Sequence, residues 1–481
     1  MFSDGADTLR RTARPAALAL TLACHAPVIA AVFAPPLVWA LIENVWPLAI
    51  ALAAPCFFCI AIWLPIRRYP LPKDLTALEA MMTLAILFLA TALLATPAFM
   101  ALGMPPAFAV FEAISAITTT GLSVARAPDD WPFAGHFLRT WMQWSGGLVM
   151  ATAVIALLLP SGLPARRLGK AGIDDTDRIA STRAQARHLL GVYVALTCIM
   201  AVLTMLVIPG WREPLVLTLS AISTGGFAPR PDSLASYPPL GQALVLTSCV
   251  VGAVSLLAFV LAFRGRWRET WALGSLQRLG IALLLVAAAT LIFALLTEAD
   301  PLSAWSNKLA NAISALTTAG FSTAAIPSSG GFFIVVLVCM VIGGDVGSTA
   351  GGLKLRRIGL MLRMARQTLR QPSLPDHSVA PLRRGGKRVP QEQMVGLVGL
   401  AVLYATTAGL LWMHFVFRGY DPAASLFEVL SALSTVGLSV GLVGPDLPAD
   451  LVLSLSAAMW LGRLEFVAVL VLFMPRNWIR S

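Results

Sequence analysis

Apolar residues run through this chain in long blocks, and the breaks between blocks are short and mostly basic. Blocks over 15–40, 46–66, 75–101, 137–160, 188–209, 241–263, 277–298, 394–417 and 450–474 each read as one membrane-crossing helix. A ~30 Å hydrocarbon core takes about 20 residues at ~1.5 Å each. The first block is too long for a signal peptide and shows no clear small-x-small cleavage site before a soluble region. A further block, 331–372, is too long for one span. Four shorter apolar segments, 105–117, 213–222, 302–316 and 422–433, cannot cross and are expected to enter the membrane and stop.

Each short segment runs into the same motif. Ala116-Ile117-Thr118-Thr119-Thr120-Gly121-Leu122-Ser123 is matched by Ala221-Ile222-Ser223-Thr224-Gly225-Gly226-Phe227-Ala228. Ala315-Leu316-Thr317-Thr318-Ala319-Gly320-Phe321-Ser322 and Ala432-Leu433-Ser434-Thr435-Val436-Gly437-Leu438-Ser439 complete the set. The pattern is Ala, aliphatic, Ser/Thr, Thr, x, Gly, Leu/Phe, then a small residue. Spacing of roughly a hundred residues marks an internal repeat. The bland alternative is four Thr/Gly turns linking helices.

Composition fixes the setting. The 481 residues are 58% hydrophobic and 12% charged, with mean hydropathy +0.79, whereas soluble domains carry roughly 25% charged residues. The chain reads as an all-α polytopic membrane protein. Its net charge of +11 would suggest nucleic acid in a soluble protein. Here the basic residues sit between apolar blocks, at Arg10, Arg11, Arg14, Arg67, Arg68, Lys73, Arg166, Arg167, Lys170, Arg264, Arg266, Arg268, Arg383, Arg384, Lys387 and Arg388. They mark the cytoplasmic side, so no nucleic-acid partner is expected. Every repeat then starts and ends inside. That makes four parallel membrane–pore–membrane units about an axis along the membrane normal, unlike the inverted repeats of many carriers. The expected division is two N-terminal transmembrane helices (1–70), then units over 71–170, 171–270, 271–390 and 391–481.

Enzyme chemistry finds no foothold. There is no nucleotide-binding glycine fingerprint, phosphate loop or HExxH, and the five histidines are scattered. Cys56-Phe-Phe-Cys59 has half the spacing of a zinc site with nothing to complete it. No organic cofactor is expected. The motif points instead to ion passage. A channel filter replaces an ion's water with rings of backbone carbonyls and threonine hydroxyls, and glycine permits the backbone angles that turn carbonyls inward. The candidate ring is Thr119, Thr120, Gly121, Thr224, Gly225, Gly226, Thr318, Ala319, Gly320, Thr435, Val436 and Gly437. The short helices would aim their partly negative C-terminal ends at the ion.

Two anomalies lie nearby. Gly343 to Lys354 (GGDVGSTAGGLK) is too rich in Gly, Ser and Thr for a continuous helix. Two half-helices joined by a loop beneath the ring are expected; the alternative is a glycine-rich helix packed against a neighbour. Asp345 in that stretch and Arg463 near the middle of the last block are charges in apolar surroundings, hence functional candidates. Arg463 would pair with Asp345 or with loop carbonyls, as a latch or as a plain structural salt bridge. Glu465, two residues on, cannot face the same way on a helix. The rival reading is a proton- or sodium-coupled carrier using Glu112 and Glu428, which precede two of the motifs. A non-transporting membrane sensor is a third.

Taken together, the four motifs, Gln143-Trp144-Ser145-Gly146-Gly147, Gly343–Lys354 and Gly462-Arg463-Leu464-Glu465 resemble the Trk/Ktr/HKT superfamily of potassium transporters, most closely its bacterial TrkH branch. The resemblance covers about residues 75–475, and the two extra N-terminal spans fit that branch too. It implies a potassium-uptake permease of the bacterial inner membrane, with both termini cytoplasmic, assembled as a homodimer. It also implies a separate cytosolic TrkA-type nucleotide-binding regulatory subunit. Gly121, where sodium-transporting relatives carry serine, favours potassium as the transported ion. The gate it implies is Asp345, Gly347, Ser348, Thr349, Gly351, Gly352 and Lys354 acting with Arg463. Two departures stand out: Asp345 replaces an expected neutral residue, and Val250-Val251-Gly252-Ala253 poorly matches an expected Gly-Gly pattern.

Overall fold

A computed structural model describes residues 12–69, 75–158, 177–373, 382–384 and 387–478. Among the basic positions used for orientation, Arg10, Arg11, Lys73, Arg166, Arg167 and Lys170 lie outside the described residues.

Two long helices, α1 (Pro15–Ile42) and α2 (Trp46–Ile66), form an N-terminal hairpin. Arg14 at its start donates through its backbone N, Nε and Nη2 to the buried carboxylate of Glu79. Glu79 also closes a capping box with Thr76, which starts α3 (Ala77–Ala101).

Four sets of elements then follow one plan. The first holds α3, the short α4 (Pro106–Ile117) and α5 (Phe133–Leu158). The second holds α6 (Asp177–Met205), the short α7 (Arg212–Ile222) and the pair α8 (Pro239–Ala253) and α9 (Leu256–Phe263), then the connector α10 (Trp267–Leu273). The third holds α11 (Ser275–Thr297), the short α12 (Pro301–Thr317), α13 (Gly331–Ile342) and α14 (Leu355–Arg370). The fourth holds α15 (Gln391–Phe417), the short α16 (Pro422–Leu433), α17 (Ala449–Arg463) and α18 (Val467–Phe473). Proline in the first turn of α4, α12 and α16 supplies their start signal. Among the described residues six helices are long and apolar enough to cross a membrane: α1, α2, α3, the Ala186–Met205 part of α6, α11 and α15.

Two expected single spans are broken. The block 241–263 bends by 91° between α8 and α9, and 450–474 bends by 115° between α17 and α18. At the first break Val254 is extended, Ser255 N donates to Ser275 Oγ (3.1 Å) and Leu256 N to Gly347 O (2.9 Å). At the second, Glu465 and Phe466 adopt φ +57° and +62°, and Val467 N donates to Glu465 O in a tight γ-turn. Mean hydropathy is high across both runs, Arg463 and Glu465 notwithstanding, so hydropathy alone did not reveal the breaks. The block 331–372 divides as its glycines suggest, but its second half, α14, is a basic amphipathic helix with Arg356, Arg357, Arg363, Arg366 and Arg370.

Candidate functional site

All four short helices end in the same way. Thr119, Thr224, Thr318 and Thr435 each take a left-handed conformation, with φ between 51° and 56°. Their amides donate to Ala116, Ala221, Ala315 and Ala432 O, at 3.0–3.1 Å. The next amides, of Thr120, Gly225, Ala319 and Val436, reach back to Ser115, Ser220, Ser314 and Ser431 O, at 2.8–2.9 Å. This is the Schellman helix stop, which glycine normally closes. A β-branched residue there is an outlier, costing about 1–2 kcal/mol. Its fourfold use needs a reason, and the hydroxyl is the group that glycine lacks.

Two residues on, Gly121, Gly226, Gly320 and Gly437 again have positive φ, 78° to 91°. Alternating signs of φ turn successive carbonyls to one side of each segment. The four segments touch in a closed circuit. A methyl group on Gly121 would collide with Gly225 O, on Gly226 with Ala319 O, on Gly320 with Val436 O, and on Gly437 with Thr120 O. Each glycine therefore lies against the carbonyl preceding the next glycine in chain order, and the fourth returns to the first. Thr119, Thr120, Thr224, Gly225, Thr318, Ala319, Thr435 and Val436 are buried, and the four glycines are half-buried.

The ring is held from behind, unevenly. Ser115 Oγ accepts from Gly121 N (3.1 Å) and donates to Leu122 O (2.6 Å); Ser431 does the same with Gly437 N and Leu438 O. Ser220 and Ser314 hydroxyls at the matching positions make no hydrogen bond among the described residues. Glu112 accepts from Ser123 Oγ and Val124 N, and Glu428 from Ser439 Oγ, Val440 N and Leu442 N. Asn311 plays that part in the third set, accepting from Thr323 N (2.9 Å), and Leu217 takes the place in the second. Arg139 is buried across the first two sets. It donates to Glu112 Oε1 (3.1 Å) and Ala228 O (3.2 Å), with the Trp131 and Phe227 rings beside it. Gln143 Nε2 donates to Gly225 O (2.5 Å), and Tyr404 OH meets Ser434 Oγ at 2.6 Å. Both carboxylate oxygens of Glu112 are engaged, by Ser123, Val124 and Arg139, whereas Glu428 fixes backbone through Oε1 and its Oε2 makes no hydrogen bond among the described residues.

The Gly343–Lys354 loop lies against the other end of these segments. Thr349 Oγ1 is 3.0 Å from both Ile222 O and Gly252 O and 3.3 Å from Thr224 Oγ1. Gly351 N donates to Thr318 Oγ1 (2.7 Å), and Gly352 N to Ser434 O (3.0 Å). Asp345 N and Thr349 N donate to Ala253 and Gly252 O, the carbonyls freed where α8 stops. Gly347 O accepts from Leu256 N, while Ser348 Oγ donates to Asp345 O (2.6 Å). The broken helix and the loop therefore satisfy each other, as irregular backbone at this depth must.

Arg463 sits at the C-terminal end of α17, at the break, rather than within a continuous helix. It is buried, and its Nη1 donates to Thr349 O (2.7 Å). Of the two partners expected for it, a loop carbonyl is the one found. Asp345 pairs instead with Arg278 of α11, with Nη2–Oδ2 at 2.7 Å and Nε–Oδ1 at 3.3 Å. Glu465 pairs with Arg357 (2.6 Å) and stands 3.5 Å from Lys354 Nζ, closing the far end of the loop. Gly252 stands in a stretch that lacks a Gly-Gly pair. It packs against Ile222 O as Gly146 packs against Ile117 O and Gly462 against Leu433 O.

The model of the TrkH family, described as a cation transport protein, matches residues 79–303 and 281–479. The chain belongs to the TrkH family of cation transport proteins. The Trk system potassium uptake protein TrkH of Halomonas elongata is 28% identical over 395 residues, 79% of this chain and 80% of that one. The protein of the same name from Escherichia coli K12 is 28% identical over 385 residues, 77% of this chain and 79% of its own. The crystal structure of the potassium transporter TrkH from Vibrio parahaemolyticus shares the fold, with TM-score 0.84 at 24% identity, covering 96% of this chain and 99% of that one. This is a family of transporters, not of enzymes.

Several residues of this TrkH-family site escape a reading of the motifs alone. Ser115, Ser220, Ser314 and Ser431 stand one position before the quoted repeat, in all four copies. Extending the motif by one residue would have found them. Arg139, Arg278, Arg357 and Tyr404 gave no signal beyond being polar residues on or beside apolar runs.

Proposed function

We propose that this chain is a potassium permease of the bacterial cytoplasmic (inner) membrane, passing dehydrated K⁺ in a channel-like way through the ring of four Thr-x-Gly segments. The four left-handed threonines carry this reading. Backbone strain repeated at matched positions supports a function that needs the hydroxyl, and threonine hydroxyls with inward carbonyls are what a potassium filter offers. The short helices point their C-terminal ends at the same ring, which favours a cation. The names of the relatives agree with potassium as cargo. Engagement of both Glu112 oxygens with Ser123, Val124 and Arg139 favours passage through a pore over coupled carriage at that carboxylate.

In this reading the chain divides at 70, 170, 270 and 390 into an N-terminal hairpin and four pore units, with both termini cytoplasmic. Asp345, Gly347, Ser348, Thr349, Gly351, Gly352 and Lys354 form the gate with Arg463. The functional form is a homodimer working with a separate cytosolic TrkA-type nucleotide-binding subunit, consistent with relatives named as parts of a Trk system. Uptake of rubidium, potassium, sodium and lithium into liposomes holding the purified chain tests it, using wild type and Arg463→Ala. Expected is K⁺ and Rb⁺ uptake well above Na⁺ and Li⁺, larger in the variant. Absence of any flux in both would overturn it.

A further inference from the structure

The four threonine hydroxyls do not share one environment. Those of Thr119 and Thr435 make no hydrogen bond among the described residues. Thr318 Oγ1 accepts the amide of Gly351 at 2.7 Å, and Thr224 Oγ1 faces Thr349 Oγ1 at 3.3 Å. Gly351 is wedged so tightly that a methyl group on it would strike both Thr435 Oγ1 and Ser434 O. One loop glycine thus lies between the hydroxyls of the third and fourth segments, with its N–H directed at one of them.

An amide proton is the positive end of its dipole. A bare cation coordinated by the threonine hydroxyls would meet that proton at the same oxygen, and the two repel. We propose that a monovalent cation at the threonine level and the closed loop are mutually exclusive. The transported ion is then itself the opening ligand, and Thr349 and Gly351 set the concentration at which it acts. This rests on the filter reading above. Its thermodynamics are ordinary linkage. A ligand that binds only the open state shifts the equilibrium toward that state, and its apparent affinity falls with the fraction that is open. Weakening the closed loop must therefore lower the ion concentration needed. The same two segments whose hydroxyls the loop engages are those whose Ser220 and Ser314 do not clamp the ring. The loop also touches the fourth segment, at Ser434 O, but there it makes no hydrogen bond to the threonine hydroxyl.

Hydrogen–deuterium exchange of the full-length chain in lipid nanodiscs tests this, with K⁺ replacing N-methylglucamine at constant ionic strength. The amides of Asp345, Thr349, Gly351 and Gly352 are bonded in the closed loop. Exchange across 343–354 should rise with K⁺ and saturate, with Na⁺ needing far higher concentration, while K⁺ slows exchange in 118–121 and 434–437. In Thr349→Val the K⁺ midpoint should fall about fivefold, the effect of one lost hydrogen bond; Thr349→Ser should restore it. Protection of the ring segments with loop exchange unmoved or slowed by K⁺ would overturn the competition and leave the filter reading standing. No K⁺ effect on either would overturn both. An unshifted midpoint in a folded Thr349→Val would remove Thr349 from the mechanism.

Discussion

Threonine at the left-handed stop of each short helix is the feature that glycine would serve more cheaply if only the fold mattered. This gives a separation of stability from selectivity. Thr435→Gly relieves a strain of about 1–2 kcal/mol and breaks no hydrogen bond of the side chain. The variant should unfold at the same or a higher temperature, yet discriminate poorly between K⁺ and Na⁺. Unchanged discrimination would show that the hydroxyl is not a ligand. Gly121→Ser acts at the glycine level of the ring. Its φ of +86° and its contact with Gly225 O leave no room for a side chain. The carbonyl must shift, so sodium permeation should rise relative to potassium in flux assays. The Thr-x-Gly repeat was legible because four copies cannot arise by chance. The strain was not, because sequence carries no dihedral angles, and threonine in this position reads like any polar turn residue.

At the scale of elements, the second crossings of the second and fourth sets are broken helices. Apolar patterning concealed both, since lipid or protein around a break demands the same residues as a straight helix. The clues were chemical. Gly252 followed by Ser255, and Arg463 with Glu465, marked where backbone leaves the helix. Close backbone approach explains Gly252 and Gly462, which lie against Ile222 O and Leu433 O. Gly462→Ala should lower the unfolding temperature, by about 1–3 kcal/mol of overpacking, because its methyl group meets Leu433 O. Gly399→Ala, with open space around it on α15, should be neutral or slightly stabilising. Equal effects of the two would contradict the packing. The loop's anchors are separable as well. Arg278→Ala leaves the buried Asp345 carboxylate without its partner and should raise basal flux, whereas Arg278→Met combined with Asp345→Leu should recover a closed loop. Failure of the double variant to do better than Arg278→Ala would mean that the pair does more than anchor. Arg463→Ala frees Thr349 O and removes a buried cation whose Nε and Nη2 make no hydrogen bond among the described residues. Basal flux should rise; a pore that stays equally closed would exclude Arg463 from the gate.

The whole molecule is organised by contacts that run round the ring, from each set to the next and from the fourth back to the first. The four motif copies, roughly a hundred residues apart, marked in the sequence the segments that meet in this circuit. The side-chain links between sets were not readable: Arg139 to Ala228, Gln143 to Gly225, Arg463 to Thr349. Each joins residues on different elements that no local pattern relates. Family membership and shared fold place the chain among cation transporters, and the ring gives that placement a physical basis. The most direct test is the K⁺/Na⁺ permeability ratio of the purified chain in proteoliposomes under opposed K⁺ and Na⁺ gradients, made in the Arg463→Ala background to keep the pore open. The account predicts a ratio well above one that falls toward one in Thr435→Gly and Gly121→Ser. A conducting pore with a ratio near one before either substitution would contradict it.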